Sequence, residues 1–226
     1  STLSSSSAAS DVYKRQSIAS AFLGLYSFTL PNTPPKLGFN EKLKIREILG
    51  LDALSMLKDK GFLFFFIASI LICIPLAFYY HNANQFLNEI GMKAAASKMI
   101  LGQISEVLFL LLLPVFIKRY GIKNALIVGI LAWGVRYILF SFGDTGVKSW
   151  MLIFGIILHG VCYDFFFVSG QIYTDFKAGE KYKSTAQGLI TLATYGIGML
   201  IGFRFAGWIN DQYISDMGHL WKNIWI

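Results

Sequence analysis

Three side chains able to do acid–base or polar-ligand chemistry, His159, Tyr163 and Asp164, sit near the middle of LIFGIILHGVCYDFFFVSGQIYTD, residues 152–175. The stretch holds about 20 apolar and aromatic residues, the length that crosses a bilayer. A carboxylate at that depth is costly unless it faces water or a partner, so Asp164 marks a site by default. Such a group can take a proton from one side of a membrane and release it to the other. His159 and Tyr163 are four residues apart and share a helix face, with Asp164 turned about 100° from Tyr163. The plainer alternative is a buried aspartate that holds a helix break near Gly160 or Gly170. A lone histidine is more often a satisfied core group than a metal ligand, so no metal site is expected.

A second pair lies earlier. Gln103 and Glu106 are three apart and meet on one helix face, and Glu106 is the ionisable group of its apolar span. Its possible roles are substrate hydrogen bonding, proton carriage, or a packing tie to a neighbouring helix. Tyr80, Gln187 and Thr191 are further candidates for lining a cavity. Gln187, Thr191, Thr194 and Gly198 form a mildly polar stripe, and Gly198 with Gly202 makes the small-residue spacing of close helix packing. Phe165, Phe166 and Phe167 cover most of a helix circumference, which suits lipid contact and core packing, with one face free to stack a planar ring. Arg136 and Arg204 are expected to reach out to the membrane interface.

The elements that must position these groups are membrane helices. Hydrophobic residues make up 55% of the 226, charged residues 15%, and the mean hydropathy is +0.55. That composition excludes an ordinary soluble domain. The net charge of +7 resides in short loops between apolar runs, which fits a membrane surface rather than a nucleic acid. Cys73 and Cys162 each lie inside an apolar run, so no disulfide is expected. No nucleophile-plus-base, phosphate-loop or zinc-protease motif is present, and an enzyme is not expected.

In chain order, residues 1–16 are Ser-rich and read as adapter-derived, non-native sequence, lacking the basic-then-apolar order of a signal peptide. Residues 17–35 read as the end of a truncated membrane helix stopped by Pro31, Pro34 and Pro35. Residues 36–60 carry apolar residues at roughly helical spacing among charges and read as an amphipathic linker. Residues 61–226 hold five apolar spans, near 61–80, 98–117, 124–142, 149–172 and 185–209. Pro75 and Pro114 are expected to bend the first two. The closing MGHLWKNIWI reads as the interfacial start of a sixth.

Lys and Arg divide unevenly between alternate loops, twelve on one side from Lys36 to Lys183 against four on the other (Lys93, Lys98, Lys148 and Lys222). The basic side is expected to be cytoplasmic.

The blocks QISEVLF (103–109), RYGIKN (119–124), CYDFFFVSGQIY (162–173) and STAQGL (184–189), in this order, resemble the nucleoside permease, or nucleoside:proton symporter, family of the major facilitator superfamily. The resemblance implies an all-α membrane protein, the C-terminal six-helix half of a major facilitator fold: the end of helix 6, helices 7–11 and the start of helix 12. It implies a midplane site shared with a missing N-terminal half. In the family, positions matching Gln103, Glu106, Tyr163 and Asp164 face the substrate, and His159 falls where relatives can carry Tyr. Proton coupling would then fall to Asp164 or Glu106. Implied partners are a nucleoside and the lipid bilayer, with a proton gradient and no cofactor, in a bacterial inner membrane. Ala77 and Tyr80 stand where amide side chains would be expected, so another small polar metabolite such as a sugar stays open as cargo.

Overall fold

The computed structural model describes residues 2–32, 51–216 and 218–226. Most of the expected linker, together with Pro34 and Pro35, lies outside those residues. Two units are distinct, residues 1–43 and 44–226. In the first, helix α1 spans Thr2–Ser27. It runs unbroken through Gln16 and Ser17, so the compositional change there is not a structural boundary.

In the second unit a 3-10 helix, Leu51–Lys58, leads into α2, Lys60–Glu89. Asp59 caps α2 by accepting the Phe62 N–H at 2.8 Å, which satisfies one of the free donors of the first turn. Helix α2 continues well past the expected stop at Tyr80, because its last turns replace apolar packing with amide bonds. Asn88 Nδ2 donates to Asn84, and Gln85 Nε2 to Glu89. Helix α3 is Ala95–Tyr120 and α4 is Ile122–Phe142. Only Gly121 separates them, at φ +81°, a backbone setting that glycine alone adopts freely.

The fourth span is one rod from Ser149 to Glu180. It begins as α5, Ser149–Tyr163, passes through a π-helical segment, Asp164–Val168, and continues as α6. Gly179, at φ +63°, breaks α6 (Ser169–Thr191) into the end of the fourth span and the start of the fifth. The fifth passes through a second π segment, Leu192–Gly198, into α7, Met199–Gln212. A two-residue hairpin, Ile214–Ser215 (β1) against Gly218–His219 (β2), then leads to α8, Trp221–Trp225.

Among the described residues, five helices are thus long and apolar enough to cross a membrane, each over an expected span. The fourth is the centre, with 61% of its apolar window buried, and α3 is the rim, with 17%. Glycines let the backbones meet. A Cβ on Gly129 would stand 2.8 Å from the Phe166 nitrogen. One on Gly198 or Gly202 would overlap Cys73 or Ala77 of α2, so the small-residue spacing is a packing seam.

Salt bridges and hydrogen bonds sort the helix ends into two sides. Lys177 Nζ lies 3.1 Å from Asp59 Oδ2, joining the start of α2 to the end of the fourth span. At the opposite end, Thr145 and His219 reach the end of α2 through Ile90 and Glu89. The basic loops containing Lys58 and Lys177 therefore share one side.

Three expectations change. Arg136 is fully buried rather than extended to an interface, whereas Arg204 is exposed. Phe165, Phe166 and Phe167 are all buried; they pack against Phe109 and Phe116, Phe65, and Tyr163 respectively, which keeps the core-packing part of the expectation and drops the rest. Trp221 and Trp225 are buried as well. Their rings pack on Phe86, Tyr137 and Phe140, and the Trp221 indole donates to Glu89.

Candidate functional site

The site is built where α3 crosses the fourth span with no side chain between the backbones. A Cβ on Gly160 would lie 2.6 Å from the Glu106 nitrogen and from the Ser105 carbonyl. Ser105 Oγ accepts the Gly160 N–H at 3.2 Å, tying the crossing. One turn earlier, Gly102 leaves room for the His159 ring, whose Cβ a side chain there would meet at 3.2 Å. This close approach brings Glu106 beside His159. Glu106 Oε2 is 3.7 Å from His159 Nε2, too long for a hydrogen bond and within reach of one after a small shift. The charge on Glu106 also reaches Asp164.

Asp164 opens the first π segment, and it is 1% exposed. Its Oδ2 has no hydrogen-bond partner among the described residues. Buried polar atoms are nearly always paired, so an orphaned carboxylate oxygen calls for a bound proton, a water or a ligand. π segments are rare and concentrate at functional sites, and the described residues hold two. Tyr163, directly before the first, meets Tyr195 of the second with hydroxyls 2.8 Å apart. Tyr80 of α2 lies within electrostatic reach of Tyr163 and Glu106.

Behind His159 stands Arg136, which the sequence reading did not place here. Its Nη1 is 3.1 Å from His159 Nδ1, and its Cζ lies 3.5 Å from the Tyr79 ring centroid. Tyr79 also stacks on His159 at 5.2 Å. A signal was present: Trp133 and Phe140, three before and four after Arg136, put aromatic faces on its side of the helix, and both rings sit under its guanidinium.

Glu106, His159, Tyr163 and Asp164 therefore come together, with Tyr80 at their edge. Gln103, one turn from Glu106, is exposed on α3. Gln187 and Thr191 are elsewhere. The Gln187 amide donates to Asp175 Oδ1 at 2.6 Å and to the Gln171 carbonyl, and Asp175 lies about 16 Å along the helix from Asp164. Thr191 bonds back to the Gln187 carbonyl. The α2 amides also look away from the cluster: Asn82 is buried against Asn210 at 2.6 Å. An apolar groove of about 930 Å³, lined by Phe64, Phe65, Leu126, Ile130 and Phe166 near the basic end, shares none of the site residues. Among the described residues no cluster of His, Cys, Asp or Glu could hold a metal ion.

Five spans of alternating direction around buried ionisable groups, with tyrosines opening to one face, make a multi-pass membrane protein of the transporter class. The sequence model of the nucleoside H+ symporter family matches residues 4–226, and the chain belongs to that family. That match begins inside the Ser-rich stretch. The putative nucleoside transporter YegT of Escherichia coli is 45% identical over 215 residues, covering 92% of this chain and 50% of the relative. The E. coli nucleoside permease NupG is 32% identical, covering 92% and 52%, and the E. coli xanthosine permease 28%, with the same coverage. A crystal structure of a NupG mutant superposes with a TM-score of 0.77 at 32% identity, over 91% of this chain and 54% of that one. A second NupG structure gives 0.72 at 34%. The chain spans about half the length of the relatives it matches, and its fold is the corresponding part of a major facilitator fold. These relatives are transporters and permeases, not enzymes.

Proposed function

We propose that this chain is the C-terminal half of a proton-coupled nucleoside symporter of a bacterial inner membrane, its basic loops facing the cytoplasm. The observation that carries the reading is Asp164, a buried carboxylate with an unpaired oxygen, at a π segment, within electrostatic reach of Glu106. Two acids that share one space cannot both lie charged in a low dielectric without cost. Binding or losing a proton there biases any equilibrium in which the two arrangements hold it unequally. Gln103, Glu106, His159, Tyr163 and Asp164 form this half's substrate surface, with Tyr80 at its rim. A nucleobase stacks on the Tyr163 side, where Phe167 backs the ring at 5.1 Å. The other half of the cavity comes from an N-terminal half, and the proton gradient supplies the energy with no cofactor.

The test is uridine uptake by the full-length protein, with and without a proton gradient. Asp164→Asn is expected to abolish gradient-driven accumulation, and Glu106→Gln to reduce it at least tenfold. If both variants accumulated uridine as the wild type does, the coupling assignment would be lost.

A second cargo class is favoured by one feature. Ala77 is packed against Gly202, and the α2 amides bond to one another, to Glu89 or to Asn210 of α7, so α2 presents a tyrosine rather than amides to the site. A free sugar is the alternative, and a thermal-shift panel of nucleosides and sugars on the full-length protein separates the two.

A further inference from the structure

A guanidinium has five donors and no acceptor, and it keeps its charge at every pH of interest. The Arg136 Nη1 contact with His159 Nδ1 at 3.1 Å therefore requires a lone pair on Nδ1. A neutral imidazole carries one N–H, which then sits on Nε2, and Nε2 is the nitrogen that faces Glu106. An imidazolium would set N–H against N–H. We propose that Arg136 is a positioning residue of the site: it holds His159 neutral and in the Nε2–H tautomer, so that the ring offers a donor beside the Glu106 carboxylate.

The surroundings support that division of labour. Arg136 is 0% exposed and held on the faces of Tyr79, Trp133 and Phe140. Its Nε and Nη2 find no hydrogen-bond partner among the described residues, and Nη1 is the atom it turns to His159 Nδ1. The titratable groups around the pair are Tyr79 and Tyr80 from α2, Glu106 from α3, and Tyr137 from α4. From the fourth span come Cys162, whose thiol meets the Arg136 guanidinium, Tyr163 and Asp164; Tyr195 comes from the second π segment. Among these, only Glu106 and Asp164 are acids that can be anionic near neutral pH. With His159 locked, proton traffic is confined to those two carboxylates. A histidine free to charge would add a third proton site beside them. The consequence for transport rests on the symporter reading above, whereas the state of the ring does not.

The ring state is read by nitrogen-15 NMR of histidine-labelled full-length protein, with His159 assigned by its loss in His159→Gln. Across pH 5–8 the wild type is expected to show a neutral Nε2–H ring throughout. Arg136→Met is expected to mix the two tautomers and to charge more readily than the wild type, although burial still disfavours the imidazolium. A wild-type ring that is Nδ1-protonated or becomes an imidazolium in that range overturns the proposal, even if Arg136→Met does not fold. So does an Arg136→Met ring identical to the wild type. In uridine binding, Arg136→Met is expected to gain a pH step of at least threefold in affinity, which Arg136→Met/His159→Gln lacks. Absence of that step with the ring unlocked overturns the positioning role. A wild type that binds no uridine instead overturns the nucleoside reading and leaves the ring result standing.

Discussion

Gly160 sits against Glu106 so closely that a methyl group on it would come within 2.6 Å of the Glu106 backbone nitrogen. The acid on α3 comes within electrostatic reach of the acid at position 164 because this crossing has no side chain in it. Gly160→Ala must push α3 away, since the obstructing atoms are backbone. Overpacking of this kind costs about 1–3 kcal/mol. The expected outcome is a lower melting temperature together with reduced gradient-driven uptake. An unchanged melting temperature would show that the crossing opens freely.

The hydroxyls of Tyr163 and Tyr195, 2.8 Å apart, join the two π segments. A neutral hydrogen bond of this type is worth about 0.5–1.5 kcal/mol. Tyr163→Phe and Tyr195→Phe are each expected to lower stability by that amount, and the double variant by little more than either single one. Simple addition of the two effects in a double-mutant cycle would mean that the hydroxyls act separately.

At the C-terminal end of α2, Glu89 accepts from Gln85, the Trp221 indole and the His219 backbone, and its carboxylate lies 3.0 Å from His219 Nδ1. Four partners on one carboxylate make it the tie between α2 and the hairpin before α8. Glu89→Ala is expected to destabilise by about 1–3 kcal/mol, because the donors left behind lose their acceptor. Protease cleavage in the segment from Ile214 to His219 is expected to speed up. Equal cleavage rates in wild type and variant would argue against the tie.

Asp59, at the start of α2, is held below its ordinary value of 3.8, first by the Phe62 N–H and then by Lys177. A carboxyl depressed in the folded state contributes stability above its unfolded value, and that contribution is lost as pH falls through the folded one. Asp59→Ala is therefore expected to lower the melting temperature at neutral pH. The gap between variant and wild type should close in acid, below the ordinary aspartate value. A gap that stayed constant down to that range would remove Asp59 as its source. Added salt is expected to narrow the gap in part, since the Lys177 pair is open to solvent.

Much of the fold was legible because the requirement behind it is one-dimensional. A bilayer demands about 20 apolar residues per crossing, and all five spans were found where those runs occur. Boundaries were shorter than the helices, since α2 continues through polar turns that bond to themselves. Of the site, Glu106, His159, Tyr163 and Asp164 stood out because polar groups are rare inside spans, and the fold brings them together. Gln187 and Thr191 belong to a polar stripe of correct periodicity, but the rod from Ser149 to Glu180 places Asp175, not Asp164, opposite Gln187.

The sequence by itself determined which segments are spans, which loops share a side and which ionisable groups lie at depth, because each follows from hydropathy and charge along the chain. Only the tertiary structure decided which face of each span turns inward. When every face of a helix is apolar, hydropathy cannot distinguish core from lipid. That is why Arg136 could be read as reaching outward, whereas the aromatic rings of Tyr79, Trp133 and Phe140 hold it under His159. The same holds for the π segments at Asp164 and Leu192: they arise where packed helices share space, and no residue pattern announces them.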